Sequence, residues 1–210
     1  MAPIILQRFA VLEGLDGSGT TTQLRLLSER LAREGIPHAA TFEPTEGPIG
    51  VLLRSILARK ASAHPRTVAL LFAADRSEHM FDPDDGIEVR TRRGELVVSD
   101  RYLYSSLAYQ SIECGLEWVS GLNERFPLPQ TTIFLDTPVE VCQERLARRS
   151  LTELYDGTSF QARVRQTYLE VFERYRGSGA RIEVIDGNRP AGLIHEDVWK
   201  IVGPMPIKGT

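Results

Sequence analysis

The sequence predicts an α/β fold in which one five-stranded parallel sheet lies between two layers of helices. Five short apolar runs alternate along the 210 residues with segments of helical periodicity, a pattern typical of strand–helix–strand crossovers. The apolar runs also lack strict alternation of apolar and polar residues, as expected for strands that are covered on both faces. A chain of this length fits one domain, which we take to span 1–210.

The predicted elements follow one another in a regular order. The strands are expected at 9–12, 39–42, 96–99, 132–135 and 182–185. The helices are expected at 23–34, 49–59, 68–80, 105–112, 139–149, 160–176 and 191–202. Gly35 and Gly177 end two of the helices, and Pro138 precedes another. Residues 203–210 have the composition of a loose tail.

In an open sheet of this kind, ligands bind beyond the carboxyl ends of the strands. The segments that follow those ends are 13–21, 43–48, 100–101 and Asp136. We therefore expect these four segments to converge on one site.

Composition excludes several classes of protein. The hydrophobic fraction of 42% and the charged fraction of 25% are those of an ordinary soluble protein, and the net charge of −3 gives no reason to expect nucleic-acid binding. Cys114 and Cys142 match no ligand spacing, so we expect reduced thiols and a cytoplasmic location. The apolar segment 1–6 is too short for a signal peptide or a membrane span, and no membrane association is expected.

A glycine-rich loop follows the first predicted strand and has the spacing G-x-x-x-x-G-K-[ST], with Thr20 in the place of the lysine. Its sequence is Gly14-Leu15-Asp16-Gly17-Ser18-Gly19-Thr20-Thr21. The glycines allow backbone N–H groups to converge on an anion, and the positive end of the next helix points to the same place. The loop predicts phosphate binding; the alternative is a glycine-rich turn that happens to precede a helix.

Asp100 and Arg101 stand at the end of the third predicted strand. A carboxylate in that position is suited to hold Mg²⁺ through water while the hydroxyl of Thr21 ligates the ion directly. Arg101 would then face a second phosphate. The alternative for Asp100 is a salt bridge to an arginine of a helix.

Two further groups of residues could bind a nucleotide. Phe72 and Arg76 share one helical face, where a ring and a guanidinium suit a nucleobase; the alternative is a core phenylalanine and a surface arginine. Arg145, Arg148 and Arg149 precede a segment rich in charged residues. That segment could close over a triphosphate, or the arginines could form an exposed basic helix face.

The ordered motifs resemble those of the thymidylate kinases, a family of P-loop nucleoside-monophosphate kinases. The resemblance covers about 9–202. It rests on Glu13 to Gly19, on Glu43-Pro44-Thr45 with Pro48-Ile49-Gly50 and Arg54, on 71–76, and on Asp100-Arg101-Tyr102 with 105–110. It implies a P-loop kinase fold with a short lid at about 145–160 and a homodimer. The implied reaction is transfer of the γ-phosphoryl group of ATP to dTMP, with Mg²⁺ as the cofactor.

The resemblance also implies roles for individual residues. Phe72 would stack on thymine and Arg76 would contact the polar edge of the base. Arg101 and Arg54 would hold the dTMP phosphate, and Asp16 would lie between the two nucleotides. The remaining implied contacts are Ser106, Tyr109 and Gln110 to base and sugar, with Tyr109 favouring deoxyribose, and Arg145 to adenine.

The chain departs from the family pattern at several cationic positions. Besides Thr20, the loop has Gly17 and Ser18 where some members have an arginine, Glu153-Leu154 stands where others have a lid arginine, and Phe42 replaces the arginine before Glu-Pro. We hypothesise that Arg148 or Arg149 replaces the missing lysine. Two alternatives to a dTMP kinase remain: a kinase for another pyrimidine monophosphate such as dUMP, and a non-catalytic nucleotide-binding protein. The segments 68–80 and 105–112 both have enough apolar surface to form a dimer surface, and equally to be ordinary core helices.

Overall fold

A five-stranded parallel sheet forms the centre of the computed structural model, which describes residues 3–148, 154–155 and 157–205. The strand order is β2-β3-β1-β4-β5. The strands are β1 (Ile5–Gly14), β2 (His38–Phe42), β3 (Leu96–Asp100), β4 (Leu128–Asp136) and β5 (Arg181–Asp186). All five were predicted, and the α/β fold with a parallel sheet is confirmed.

Helices flank the sheet on both sides. They are α1 (Thr20–Arg33), α2 (Pro48–Leu57), α3 (Pro65–Phe81), α4 (Ile87–Arg92), α5 (Leu103–Tyr109), α6 (Ser111–Cys114), α7 (Leu116–Asn123), α8 (Val139–Leu146), α9 (Thr158–Arg174) and α10 (Ala191–Val202). The sequence did not predict α4 and α7. The predicted helix 105–112 is divided into α5 and α6 around Gln110, and the helix predicted to reach 149 ends at Leu146.

The central strand β1 explains why the core has two halves. Its residues point alternately to the two faces of the sheet, and Phe9 to Leu12 are at most 1% exposed. Phe9 and Val11 pack in a cluster with residues of α5 and α9, whereas Ala10 and Leu12 pack in a second cluster with residues of α1 and α10. The three layers predicted from the sequence are therefore present.

The strand order also positions the carboxyl ends of β1 and β3 side by side. Leu12 is in register with Asp100, so the glycine loop after β1 and Arg101 after β3 emerge at the same edge. Within the described parts of the chain, no helix has both the length and the apolar character needed to cross a membrane.

Candidate active site

Two cavities meet at this edge of the sheet. The first, which we call the loop pocket, has a volume of about 470 Å³ and is lined by 16–23, Asp100, Arg101, Leu135, Arg145, Gly187, Arg189, Ala191 and Ile194. The second, the aromatic pocket, has a volume of about 240 Å³ and is lined by Asp16, 42–44, Arg54, Leu57, Phe72, Arg101, Ser105, Ser106, Tyr109, Gln110 and Tyr155. Among the described residues, Asp16 and Arg101 line both pockets.

The backbone of the glycine loop requires glycine at three positions. Gly17 and Gly19 have φ values of 85° and 108°, in the region that favours glycine. A Cβ atom on Gly14 would lie 2.3 Å from Ser18 Oγ. The first turn of α1 has no acidic residue, so its positive end remains available to an anion.

The predicted phosphate-loop residues divide into two groups. Asp16, and all residues from Gly17 to Thr21, line the loop pocket. Leu15 is 1% exposed and packs in the core, and the carbonyl oxygen of Gly14 accepts a hydrogen bond from Arg101 Nη1 at 3.0 Å. Gly14 and Leu15 therefore shape the loop from behind and do not line the cavity.

The positive charge of the loop pocket comes from arginines, since Thr20 stands in the place of the lysine and is uncharged. Arg145 Nη1 donates hydrogen bonds to the carbonyl oxygens of Gly17 and Ser18 at 3.1 and 3.0 Å. Arg189, which sequence reasoning missed although it follows the end of β5, donates to Asp197 Oδ2 at 2.9 Å.

Arg148, one of the two arginines predicted to replace the lysine, lines neither pocket. Arg148 is exposed just beyond α8. Arg149 and Glu153 of the predicted lid lie outside the described residues. The compensating role of Arg148 and Arg149 therefore stays a prediction.

Thr21 and Asp100 form the oxygen pair that was predicted to hold Mg²⁺. Thr21 Oγ1 donates to Asp100 Oδ2 at 2.6 Å, while the buried Asp100 Oδ1 has no hydrogen-bond partner among the described residues. No salt bridge to Asp100 occurs in that part of the chain, so the helix-arginine alternative finds no support. Hard oxygen donors with an unused buried lone pair fit Mg²⁺.

Asp16 and Arg101 form an ion pair where the two pockets meet. Arg101 Nη2 donates to Asp16 Oδ1 at 2.6 Å. Asp16 Oδ2 accepts from Tyr109 Oη and from Gln161 Nε2, both at 3.0 Å. Gln161 is fully buried and was not predicted as a site residue.

The backbone of Arg101 is strained. Its φ of 73° lies in the left-handed region, which is unusual for a residue other than glycine and is found at functional sites. Ser99 Oγ donates to the Arg101 carbonyl oxygen at 2.7 Å, and the Arg101 N–H donates to Leu12 O at 2.9 Å. These bonds hold the strained turn that aims the guanidinium into the junction.

The aromatic pocket contains most of the residues predicted to bind a nucleoside monophosphate. Arg54, Phe72, Ser106, Tyr109 and Gln110 all line it. Gln110 is 4% exposed, and its Oε1 has no hydrogen-bond partner among the described residues. A buried amide with an unused acceptor in a cavity wall is suited to a ligand N–H.

Two aromatic residues of this pocket were not assigned to it by sequence reasoning. Tyr155 lines it and stacks on Phe160 with ring centroids 5.0 Å apart. Phe42, which had been noted as the replacement of an arginine, is 40% exposed and also lines the pocket. Local patterns give no signal for Tyr155, because it reaches the pocket from the chain between α8 and α9.

Arg76 lies behind the pocket wall. It is 1% exposed, which excludes the surface-arginine alternative. Its Nη2 donates to Glu43 Oε2 at 2.7 Å and to Ser106 Oγ at 3.0 Å, and its Nη1 contacts Asn123. In this arrangement Ser106 faces the pocket and Arg76 orients Ser106. Burial alone would raise the pKa of Glu43, but Arg76 and His79 hold it below its ordinary value.

Asp136 does not join the other strand-end residues, contrary to expectation. Arg165 of α9 donates to both of its carboxylate oxygens, at 2.6 and 2.7 Å. This bidentate pair holds Asp136 beside α9, and Asp136 lines neither pocket.

Comparisons with known proteins show which family the chain resembles. A family model described as thymidylate kinase matches residues 12–198. A Treponema pallidum protein provisionally named thymidylate kinase is 40% identical over 198 residues, covering 92% of this chain and 94% of that protein. Proteins with provisional thymidylate kinase names from Aeropyrum pernix and Pyrobaculum aerophilum are 39% and 37% identical. They cover 87% and 92% of this chain, and 86% and 95% of their own lengths.

Proposed function

This chain belongs to the thymidylate kinase family, and we propose that it transfers the γ-phosphoryl group of ATP to dTMP, producing dTDP and ADP. The observation that carries this proposal is the junction of two pockets at Asp16 and Arg101. Two nucleotides bound in those pockets would meet at that pair of side chains. Phosphoryl transfer requires this kind of positioning, together with neutralisation of charge.

The loop pocket is the proposed ATP site. The N–H groups of Gly17 and of 19–21, at the start of α1, would bind the phosphates, and Arg145 would approach adenine. The N–H groups of Asp16 and Ser18 already donate to Tyr109 Oη and to Leu15 O. Thr21 and Asp100 would hold Mg²⁺, which when bound neutralises phosphate charge. Because the loop has no lysine, an arginine would have to contact the donor phosphates, and Arg148 and Arg149 are the proposed candidates.

The aromatic pocket is the proposed dTMP site. Phe72 would stack on thymine, while Ser106, Tyr109 and Gln110 would contact the base and the sugar. Arg54 and Arg101 would bind the phosphate, and the ring of Tyr109 would leave little space for a 2′-hydroxyl. Asp16 is a catalytic residue in this proposal because its carboxylate lies between the two phosphate sites.

The proposal is tested by ADP release from purified protein with ATP, Mg²⁺ and each of dTMP, dUMP, dCMP and dGMP. Turnover that depends on dTMP is expected. Equal or faster turnover with dUMP would favour a kinase for another pyrimidine monophosphate, since one methyl group discriminates by only about 1–3 kcal/mol. Nucleotide binding without turnover would favour the non-catalytic alternative.

The Gln110→Leu variant is expected to raise the KM for dTMP about 10-fold, which corresponds to about 1.4 kcal/mol. The reason is that the variant removes the amide that would bond the base, and one buried hydrogen bond contributes about this much. Steady-state kinetics with dTMP as the varied substrate measure the change.

The matched control is Gln166→Leu, which removes an exposed amide on α9 that bonds Glu170. It is expected to leave the KM for dTMP unchanged. An unaltered KM in the Gln110 variant would mean that this amide does not contact the base.

We also propose a cytoplasmic homodimer. Both cysteines are free, in agreement with a reducing compartment. Of the two helical segments considered as dimer surfaces, 105–112 combines the largely buried α5 with the start of α6, whereas α3 exposes Leu70 and Phe81. The face of α3 is thus the better-supported surface, and light scattering of the purified protein would measure the oligomeric state.

A further inference from the structure

A buried carboxylate, Glu13, stands immediately before the glycine loop and has no part in the function proposed above. Its side chain is shielded from solvent, and no salt bridge reaches it from the described residues. Removing a carboxylate from water without a paired cation costs free energy, so a compensating arrangement must surround it.

Four hydrogen bonds supply that arrangement. Glu13 Oε1 accepts from the backbone N–H groups of Tyr102 and Ser105, at 3.0 and 3.2 Å. Glu13 Oε2 lies 2.5 Å from Ser105 Oγ and 2.8 Å from Tyr168 Oη, and both hydroxyls can donate to it. The carboxylate therefore fixes the chain on the C-terminal side of Arg101 as well as two hydroxyl groups.

Those two hydroxyl groups face Arg101. Arg101 Nη1 donates to Ser105 Oγ at 3.1 Å and lies 3.5 Å from Tyr168 Oη. A serine hydroxyl has one proton, and when that proton goes to Glu13, the lone pairs of Ser105 are left to accept from Arg101. The orientation of the acceptor that Arg101 meets is thus set by Glu13.

We propose that Glu13 is a positioning residue for phosphoryl transfer: through Ser105 and Tyr168, its carboxylate holds the Arg101 guanidinium at the junction of the two pockets. Arg101 then lies between Asp16, which it contacts directly, and Glu13, which acts through a hydroxyl. Loss of Glu13 frees the hydroxyls to reorient, and Arg101 is drawn to Asp16 alone. This inference rests on the proposed function.

The ionised form of Glu13 does not stabilise the fold, which agrees with a functional role for this carboxylate. Burial raises its pKa to about 7, although the hydrogen bond from Ser105, the charge of Arg101 and the hydroxyl of Tyr168 lower it. Among the described residues, the ionisable or charged groups that interact with it are Arg101, Tyr104 and Tyr168. The carboxyl thus ionises less readily in the folded chain than its ordinary value near 4.5 allows.

The consequence for stability has a definite sign. The folded state binds the Glu13 proton more tightly than the unfolded state, so this contribution to the free energy of unfolding is full below pH 4.5. It declines as the pH rises towards 7. The E13Q variant lacks this decline. Its melting temperature relative to the wild type is therefore expected to rise between pH 5 and pH 8.

The kinetic test uses E13Q with dTMP as the varied substrate. We expect kcat/KM for dTMP to fall about 10- to 100-fold, the range for groups that orient a functional side chain, and the KM for ATP to stay within about twofold. Ser105→Ala is expected to reproduce the loss. Tyr104→Phe is the matched control, because its hydroxyl makes no hydrogen bond to Glu13, Ser105 or Tyr168 in the described chain.

A double-mutant cycle separates positioning from a merely structural role. If Glu13 acts through Arg101, E13Q is expected to add little to the loss caused by Arg101→Lys. Additive losses, or wild-type kcat/KM in both E13Q and Ser105→Ala, would overturn the inference. The Kd of dTMP, measured by calorimetry without ATP, is expected to rise about 10-fold in E13Q and in Ser105→Ala, whether or not the wild type turns over. If the wild type shows no turnover, only the proposed kinase activity is contradicted.

Discussion

The Arg101→Ala variant is expected to lower kcat/KM for dTMP about 1000-fold, equivalent to about 4 kcal/mol of transition-state stabilisation. Arg101 lines both pockets, and it is bonded to Asp16, to the loop at Gly14 and to Ser105. One lost donor of this kind costs 10²- to 10³-fold, and this variant also removes a full charge beside the proposed phosphate sites. Coupled-assay kinetics with saturating ATP measure the change.

Arg101→Lys is expected to recover only part of this loss. A lysine keeps the charge but cannot reach the loop carbonyl, Asp16 and a phosphate at once, as a planar guanidinium can. Arg25→Ala is the matched control, because Arg25 is an exposed arginine of α1 paired with Glu29. A Lys variant as active as the wild type would show that charge alone is needed at this position.

Neutralising Arg148 and Arg149 together is expected to lower kcat about 100-fold or more while dTMP still binds. A donor-side cation that is absent at Thr20 has to come from elsewhere, and loss of one such group costs about 2.7–4 kcal/mol. The measurement is kcat at saturating ATP and dTMP, together with calorimetric binding of dTMP.

Thr20→Lys supplies the second half of this test. In the double alanine background, Thr20→Lys is expected to restore most of the lost kcat, because the lysine returns a positive charge to the loop pocket, which Thr20 lines. Unchanged turnover in the double alanine variant would exclude both arginines. The cation would then have to be one of the arginines that line the loop pocket in the described chain, Arg101, Arg145 or Arg189.

Much of the architecture was predictable because buried segments have a recognisable apolar pattern in the local sequence. A strand covered on both faces is largely apolar, so β1, β3 and β4 stand out in the sequence. The helices that failed to stand out are short. Only Ile87 and Thr91 of α4 are buried, and Arg90 links Asp85 to Glu95 around it, so this helix depends on contacts that a periodic pattern does not record.

The candidate site was predictable for a similar reason and to a similar extent. The aromatic pocket contains Phe72 and Gln110 as expected, since both stand in segments with recognisable motifs. Gln161 and Arg189 were missed because each reaches the site from an element whose local sequence resembles any surface helix or loop.

Glycine spacing and apolar runs act over a few neighbouring residues, so they were enough to predict the glycine loop, the parallel sheet and, apart from Asp136, the segments that meet beyond its strands. The tertiary structure alone decided which partner each charged side chain has. Arg76 turned inward to Glu43, Asp136 joined Arg165, and Glu13 came to lie behind Arg101 through two hydroxyl groups. Such pairings depend on distances between residues far apart in the chain, and no local pattern encodes those distances.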